Sequence, residues 1–356
     1  MRRIKVLVVD DSALVRQTLT SIINSDPQLM VTGAAADPYF AATKIRKEVP
    51  DVITLDLEMP RMNGLTFLKT LMAQYPIPVV IISSFTQKGS RQALKALELG
   101  AVEILAKSEI RNTKDHLEES RILITDAIKA ANMAPVRRRP LAQAEQAPDA
   151  SLRDAAGDMA PEISTPSEPI SKIIAIGAST GGTEAIRQLL EHEPANSPPF
   201  LIVQHMPAGF TQSFAKSLDT RCTIVVKEAT DGEIIQNGHA YICPGGFHMT
   251  LEYSLTKYRL RIRSGELVNR HRPSVDVLFE SVAKSAGHHA IGIILTGMGN
   301  DGAAGLLQMR NNGAITIAQN EATCVVYGMP REAVKLGAAQ YILPLEGIPG
   351  KLKSLF

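Results

Sequence analysis

The chain has 356 residues, 45% hydrophobic and 21% charged, which is enough apolar sequence for two or three globular domains. Its 38 basic and 36 acidic residues leave a net charge of +2, so no overall field points to nucleic acid as a partner. Three cysteines without CxxC spacing (Cys222, Cys243 and Cys324) exclude a disulfide scaffold and argue against a zinc site. With no signal peptide and no membrane-length apolar run, we expect a cytoplasmic protein that does not insert into the membrane.

Residues 1–132 alternate between continuous apolar runs and amphipathic helical patterns. Such runs predict buried parallel strands covered by helices on both faces. Five strand–helix pairs predict a doubly wound α/β domain with the flavodoxin-like strand order 2-1-3-4-5. The predicted strands are Ile4–Asp10, Val31–Ala35, Val52–Leu57, Val79–Ser83 and Glu103–Lys107.

Polar side chains stand where four of these strands end. Asp10 and Asp11 close the first strand, Asp56 the third, Ser83 the fourth and Lys107 the fifth. The carboxyl ends of parallel strands meet in one crevice, so these groups should share a small volume. Clustered carboxylates favour a hard divalent cation, and the added hydroxyl and ammonium predict a phosphoryl-transfer site with Asp56 as nucleophile.

A stretch of different composition follows. Residues 133–170 contain six prolines, eight alanines and no aromatic residue. Such a segment cannot bury enough apolar surface to offset its ordering entropy, so we predict an extended linker. The chain would then consist of a domain at 1–132, the linker at 133–170 and a second domain at 171–356.

The second domain also alternates, which predicts a mainly parallel α/β sheet with helices beginning near Gly181, Phe210, Ser274, Gly302 and Thr323. A period-two pattern on both sides of Ser254–Lys257 predicts one antiparallel hairpin. The predicted strands are Ile173–Gly177, Phe200–Gln204, Ile224–Ala229, Ala240–Cys243, Ile291–Leu295, Ala314–Ala318 and Tyr341–Leu343.

Ser179 stands in the sequence GASTGG, between a predicted strand and a predicted helix. GxSxG in this context is typical of a nucleophile elbow, although a purely structural turn has the same pattern. A dinucleotide fingerprint would need glycine at Ser179, and a phosphate-binding P-loop would need lysine at Thr183.

His205 and Asp301 also follow predicted strands directly. Alone, His205 is an ordinary loop residue, and Asp301 would serve equally as the cap of a helix from Gly302. Together with Ser179 they supply a nucleophile, a base and an orienting carboxylate at one edge of a sheet. The pattern therefore predicts a hydrolytic triad on a scaffold whose chain order differs from that of α/β-hydrolases.

The motifs VVDDSALVRQ, TLDLEMPRMNGL and VVIISS, with Lys107, resemble a response-regulator receiver domain. The resemblance implies that Asp56 is phosphorylated by a histidine kinase of chemotaxis and that Asp10, Asp11 and Asp56 bind Mg²⁺. It implies that Ser83 and Lys107 sense the phosphoryl group. The sequence departs from many receivers at two positions, because Ser108 replaces a proline and Ile104 replaces an aromatic switch residue.

The motifs GASTGGTEAI, IVQHMP, HRPSVDVLF and LTGMGNDGA, behind a receiver domain, resemble the protein-glutamate methylesterases of chemotaxis. The resemblance implies hydrolysis of glutamate γ-methyl esters on methyl-accepting receptors, with deamidation of receptor glutamines, and with no cofactor for the hydrolysis. Ser179 would be the nucleophile, His205 the base and Asp301 its orienter, with the backbone N–H of Met298 as an oxyanion contact. His271 and Arg272 would at most line the pocket.

Two alternatives remain open from the sequence. A receiver-controlled binding module, most commonly a DNA-binding one, would need no catalysis, although no helix-turn-helix with a basic recognition helix is evident. An esterase with another target would keep the triad, because ester chemistry follows from the triad whereas receptor glutamate follows only from resemblance.

Overall fold

The protein is described by a computed structural model covering residues 2–59, 62–84, 86–109, 117–136 and 169–355. Within these ranges it forms two α/β domains, each with its own parallel sheet, and a separate antiparallel hairpin. This confirms the predicted fold class. The predicted linker, 133–170, falls almost wholly outside the described residues, so the boundaries drawn from it stay a prediction.

The N-terminal sheet has the order β2-β1-β3-β4-β5, with every neighbouring pair parallel. This is the predicted flavodoxin-like order, and it places the ends of β1 and β3 side by side. The strands are β1 (Ile4–Val9), β2 (Leu29–Ala35), β3 (Val52–Asp56), β4 (Val79–Ser83) and β5 (Glu103–Ala106). The helices are α1 (Ala13–Ser25), α2 (Pro38–Lys47), α3 (Gly64–Gln74), α4 (Gln87–Glu98) and α5 (Leu117–Met133).

Local sequence explains where these elements begin. Ser12, Asp37, Asn63 and Thr86 each accept a hydrogen bond from a backbone N–H in the first turn of the helix that follows. A side-chain cap of this kind stabilises a helix by about 1 kcal/mol. Strands β3 and β4 are buried at every position, which is why their sequences are apolar without alternation.

The C-terminal sheet has the order β14-β13-β12-β6-β7-β9-β8 and is parallel throughout. Its strands are β6 (Ile173–Ala178), β7 (Phe200–Gln204), β8 (Val225–Glu228), β9 (His239–Ile242), β12 (Ala290–Ile294), β13 (Ile315–Gln319) and β14 (Tyr341–Leu343). Its helices are α6 (Gly182–Leu190), α7 (Phe210–Asp219), α8 (Val275–Ala286), α9 (Ala303–Asn311), α10 (Met329–Lys335) and α11 (Ile348–Lys353).

The order in which the chain adds strands to this sheet reverses at β6, which pairs with β7 on one side and β12 on the other. The chain continues from β6 toward β7, but from β12 it continues the opposite way toward β13. A crevice forms at the carboxyl ends of strands where connections diverge. The loops carrying Ser179, His205 and Asp301 follow β6, β7 and β12, so all three border this crevice.

The hairpin pairs β10 (His248–Ser254) with β11 (Lys257–Arg263) in antiparallel register, as predicted. Its two central residues, Leu255 and Thr256, both have positive φ, the conformation of a two-residue turn that matches strand twist.

The helix predicted near Thr323 is wrong. Residues Glu321–Thr323 form only a short 3-10 turn, capped by the Asn320 side chain, and the next helix begins at Met329. Between them the backbone N–H of Val326 donates to the Thr296 hydroxyl at 2.9 Å. Tertiary bonds to the loop after β12 therefore hold this segment in a non-helical, bent form, against its local pattern.

The two domains pack through α4 of the first and α7 of the second. Arg221, just beyond α7, forms an ion pair with Glu98 at the end of α4, with 2.5 Å between nitrogen and oxygen. This contact brings the start of β5 against the crevice of the C-terminal sheet.

Candidate phosphoacceptor and hydrolytic sites

The acidic residues predicted to converge in the N-terminal domain do so. Carboxylate oxygens of Asp10, Asp11 and Asp56 all lie within 4.8 Å of one another, with Asp10 and Asp56 buried and Asp11 exposed. Lys107 lies among them, its Nζ 2.7 Å from Asp56 and 3.0 Å from Asp10. One ammonium offsets only one of three carboxylates, so the oxygen donors and the remaining negative charge fit a hard divalent cation.

Protonation in this cluster follows from burial and from the Lys107 contact. Burial raises the pKa of Asp56 to about 6, while the hydrogen bond from Lys107 opposes this rise. Burial alone would lower the pKa of Lys107, but its bonds to Asp56 and Asp10 outweigh burial and raise it. Above about pH 6, Asp56 is therefore an ionised carboxylate with a cation beside it.

Ser83 ends β4 as predicted and is buried, but its hydroxyl donates to the carbonyl oxygen of Gly89 in α4 at 3.5 Å. The neighbouring Ser84 hydroxyl donates to Glu58 at 2.6 Å. The structure therefore places Ser83 at the predicted strand end with its hydroxyl directed to α4.

In the second domain, Ser179 stands in a sharp turn between β6 and α6. Its N–H donates to the carbonyl oxygen of Thr296, and its own carbonyl accepts from the N–H of Gly182 at 2.7 Å. Gly181 has φ of +79°, and a Cβ there would lie 2.6 Å from the Val325 side chain. Gly181 is therefore required by both its left-handed backbone and the close approach of Val325. The turn joins a strand to a helix at Ser179, as predicted, and its role as a nucleophile elbow stays a prediction.

His205, the first residue after β7, is held by two kinds of bond. Its backbone N–H donates to Ala178, and the Gln204 side chain donates to the carbonyl oxygens of both Ser179 and His205. Its ring Nε2 lies 2.8 Å from Oδ2 of Asp301. Its ring Nδ1 is buried and has no hydrogen-bond partner among the described residues.

Asp301 is a fully buried carboxylate that accepts several hydrogen bonds. Besides His205, it accepts from the side chains of Asn269 and Ser274 and from the backbone N–H groups of Val275 and Asp276. Burial alone would raise its pKa, but the bond from His205 and these other donors lower it well below its usual value. An ionised carboxylate can only accept, so Nε2 of His205 carries a proton, and in the neutral ring the lone pair would be on Nδ1.

The alternative of Asp301 as the cap of the following helix is wrong, because the N-cap residue of α9 is Gly302 and no side chain caps that helix. Asp301 instead caps α8, whose first N–H groups point at its carboxylate. A helix N-terminus favours a negative charge, so α8 helps to keep Asp301 ionised.

A turn at residues 268–271 contributes two side chains whose roles the sequence did not reveal. Val268 and His271 exchange backbone hydrogen bonds, and the two residues between them, Asn269 and Arg270, have φ of +50° and +68°. Asn269 donates to Asp301, and the His271 ring stacks on that of His205 with centroids 3.8 Å apart and planes 14° apart. Burial, with a smaller effect of His205, lowers the pKa of His271 to about 3, so this ring is neutral near pH 7.

Comparison with known proteins gives the family. Residues 174–352 match the CheB methylesterase model, and residues 6–118 match the response regulator receiver domain model. A protein-glutamate methylesterase/protein-glutamine glutaminase of Geobacter metallireducens is 54% identical over 352 residues, covering 98% of each chain. One from Chromohalobacter salexigens is 55% identical, covering 98% of this chain and 95% of its own length.

This chain belongs to the protein-glutamate methylesterase family. The crystal structure of the Thermotoga maritima CheB methylesterase catalytic domain supports this, with a TM-score of 0.51 and 40% identity over 52% of this chain and 99% of that one. The two matched models place a receiver domain ahead of a methylesterase domain, the order that the sequence motifs indicated.

The segment containing Met298 lies directly beside the serine. A Cβ added at Gly297 would lie 2.7 Å from the Cβ of Ser179 and 3.0 Å from its backbone nitrogen. Gly297 is itself held by hydrogen bonds to Val326 and Met329. The glycine permits this close approach, and the Met298 residue that follows is therefore next to the turn that carries Ser179.

In this methylesterase the receiver domain lies against the crevice that contains Ser179 and His205. The cavity that contains Ser179 and His205 is lined on its other side by Leu97, Val102, Glu103 and Ile104 of the receiver. Oε2 of Glu103 accepts a hydrogen bond from Oγ1 of Thr180 at 2.5 Å. Removal from water raises the pKa of Glu103 to about 7, while the bond from Thr180 opposes the rise.

Proposed function

We propose that this protein is a phosphorylation-regulated protein-glutamate methylesterase that also deamidates glutamine, acting as a serine hydrolase on the cytoplasmic parts of chemotaxis receptors. The observation that carries the proposal is the pairing of His205 with Asp301 through Nε2: His205 lines the same cavity as Ser179, and its buried Nδ1 has no hydrogen-bond partner among the described residues. A base with a fixed tautomer beside a serine is the arrangement that nucleophilic acyl transfer needs.

In the first half of the reaction, Oγ of Ser179 attacks the γ-carbonyl carbon of a methylated glutamate while its proton passes to Nδ1 of His205. The imidazolium formed is stabilised by the ionised Asp301. Collapse of the tetrahedral intermediate breaks the bond to the methoxy group, which leaves as methanol with the proton from His205. With a glutamine substrate the leaving group is ammonia.

In the second half, water replaces the serine as nucleophile. It gives its proton to Nδ1 of His205 and adds to the acyl carbon, and the proton then returns to Oγ of Ser179 as the glutamate carboxyl group departs. We assign stabilisation of the oxyanion to the backbone N–H of Met298, because Gly297 brings this segment against Ser179.

For regulation, we assign Asp56 as the phosphoacceptor and Asp10, Asp11 and Asp56 as the ligands of Mg²⁺. When bound, the cation would neutralise charge on the phosphoryl oxygens. Lys107 already contacts Asp56 and would pair with the phosphoryl group. The Ser83 hydroxyl would give up its hydrogen bond to the carbonyl oxygen of Gly89 and donate to a phosphoryl oxygen instead. Gly89 belongs to α4, the helix that packs against α7 of the other domain. Phosphorylation would thereby favour the undocked receiver.

The proposed setting is the cytoplasm, with a chemotaxis histidine kinase as phosphodonor and methyl-accepting receptors as substrate. Among the described residues no helix is long and apolar enough to span a bilayer. A DNA-binding output domain is not favoured, because the described C-terminal domain carries a completed histidine–aspartate pair beside a serine.

The test is incubation of the full chain with a methylated cytoplasmic fragment of a chemoreceptor, with and without a small phosphodonor and Mg²⁺, while methanol is measured. We expect slow release without the phosphodonor and faster release with it. Methanol release that does not respond to the phosphodonor would contradict the regulatory part, and no release in either condition would contradict the assigned substrate.

A further inference from the structure

Glu103 is the receiver residue that makes the most specific contact with the catalytic crevice. It begins β5 and lines the cavity that contains Ser179 and His205, and its carboxyl group accepts the hydrogen bond from Thr180, the residue next to the nucleophile. A glutamate side chain from one domain therefore lies in a site that, under the proposed function, produces a glutamate side chain.

We infer that Glu103 is an internal product mimic: in the docked state its carboxyl group takes the place of the γ-carboxyl group of substrate or product, and the Thr180 hydroxyl binds that group in both cases. This inference rests on the proposed function, since the mimicry has meaning only for an enzyme that acts on glutamyl groups.

The surroundings of Glu103 favour mimicry over simple docking. Two other acidic side chains of the receiver form ion pairs with the second domain, Glu98 with Arg221 and Asp126 with Arg270. Glu103, by contrast, has no ion-pair partner among the described residues, and its carboxyl group accepts hydrogen bonds from the Thr180 hydroxyl and from the backbone N–H of Ile104. A carboxyl group buried without a cation costs free energy unless its site is built to accept it.

Thr180 has the properties of a binding residue. Its side chain is buried beside the crevice, and its carbonyl oxygen accepts a hydrogen bond from the Thr296 hydroxyl at 2.9 Å. Thr296 also accepts the N–H of Ser179 through its carbonyl oxygen. Thr296 therefore bonds the backbones of both Ser179 and Thr180, so the residue that carries the hydroxyl is held at a defined place relative to Ser179.

The protonation of Glu103 strengthens the likeness to substrate. With its pKa raised to about 7, this group exists partly as the neutral acid near neutral pH. A neutral carboxylic acid resembles a methyl ester in charge and shape more closely than a carboxylate does. The docked receiver thus presents to the crevice a group close to the one that the enzyme would cleave.

The first experiment measures how fast a serine-directed fluorophosphonate labels Ser179 in the unphosphorylated full chain. We expect Glu103→Ala to be labelled about tenfold faster than wild type, because the mimic is removed. The matched control is Glu98→Ala, which also removes an interdomain carboxylate but one outside the cavity, and which should accelerate labelling much less.

The second experiment asks whether the vacated place accepts a free glutamyl group. N-acetyl-L-glutamate α-methylamide, whose only carboxyl group is the γ one, should slow labelling of Glu103→Ala. Adding Thr180→Val should raise the concentration needed for this protection about tenfold. Thr183→Val is the control, because Thr183 lines the same cavity, and it should leave protection unchanged. Circular dichroism and thermal melting confirm that each variant folds.

Three outcomes would overturn the inference. The first is a folded Glu103→Ala variant that is labelled at the wild-type rate. The second is a Glu98→Ala variant whose labelling rate rises as much as that of Glu103→Ala. The third is a Glu103→Ala variant that the glutamate derivative does not protect, or protects equally well after Thr180→Val is added. Methanol release from the receptor fragment is measured separately. A protein that meets the labelling and protection expectations without releasing methanol would contradict the proposed receptor substrate, and the assignment of Glu103 and Thr180 would stand.

Discussion

Nε2 of His205 lies 2.8 Å from Oδ2 of Asp301, while Nδ1 of the same ring is buried with no hydrogen-bond partner among the described residues. The carboxylate thereby selects the tautomer with the proton on Nε2, and His205 lines the same cavity as Ser179. The helix-capping role of Asp301 stabilises the same charge, so one residue supports both the fold of α8 and the chemistry.

Ser179→Ala is expected to lower methanol release by at least about a thousandfold, because the hydrolysis proposed here proceeds through the serine oxygen. The small side chain fits the same turn, so thermal stability and phosphorylation of Asp56 should remain as in wild type. Turnover is measured with the methylated receptor fragment. Retained turnover would remove Ser179 from the mechanism.

Asp301→Asn should lower kcat by roughly 10⁴-fold, because an amide no longer enforces the Nε2–H tautomer of His205. It should also destabilise the domain, since an amide NH₂ group would face donors that now point at carboxylate oxygens; unpaired buried donors cost about 1–3 kcal/mol. Kinetics and thermal unfolding are measured together. Ser179→Ala is the contrast, because it should lose activity without losing stability, and an Asp301→Asn protein with full activity would refute the tautomer assignment.

His271 is expected to position His205 through their stacked rings. His271→Ala should lower kcat about tenfold with little change in KM and should alter the pH profile, because the imidazole of His205 gains freedom and water. His271→Phe, which keeps an aromatic ring in the stack, should recover most of the rate. Equal loss in both variants would show that the imidazole itself, and not its stacking, is required.

Asp56→Asn should abolish phosphorylation by a small phosphodonor with Mg²⁺ and leave the unstimulated methanol release unchanged. The reason is that the nucleophilic carboxylate beside Lys107 is replaced by a neutral amide. Phosphate incorporation is followed on the intact protein, with wild type without Mg²⁺ as the control. Persistent incorporation in the variant would identify another acceptor.

Docking of the receiver should weaken as pH rises. Glu103 has a pKa of about 7 when docked against an ordinary value of 4.5, so the docked state holds a proton that the undocked state releases. Docking is then strongest below about pH 4.5 and loses this contribution as pH approaches 7. His205 is the titratable side chain that acts on Glu103, so the pH dependence of basal activity is compared between wild type and Glu103→Gln, which share His205. A constant ratio of the two activities from pH 5.5 to 8 would contradict this linkage.

Much of the fold follows from sequence because parallel sheets have a strong local signature. The continuous apolar runs predicted the strands, and the rule that parallel strand ends share one edge predicted the gathering of Asp10, Asp11 and Asp56. The same rule placed Ser179, His205 and Asp301 around one crevice. These inferences needed only hydrophobic pattern and strand order.

The helix expected near Thr323 does not form, because hydrogen bonds to distant residues outweigh the local helical preference of this segment. Bonds from Thr296 and Gly297 hold the segment before α10 in a non-helical, bent form. No pattern within that segment encodes those partners, because they lie about thirty residues earlier in the chain.

The sequence by itself determined which residue types stand at the strand ends, and hence the candidate triad of Ser179, His205 and Asp301 and the acidic pocket of the receiver. Only the tertiary structure decided which ring nitrogen of His205 meets Asp301, that His271 stacks on His205, and that Glu103 meets Thr180. The physical reason is the distance along the chain over which each feature is determined. Strand periodicity depends on adjacent residues, whereas these contacts depend on the packing of loops and of two separately folded sheets.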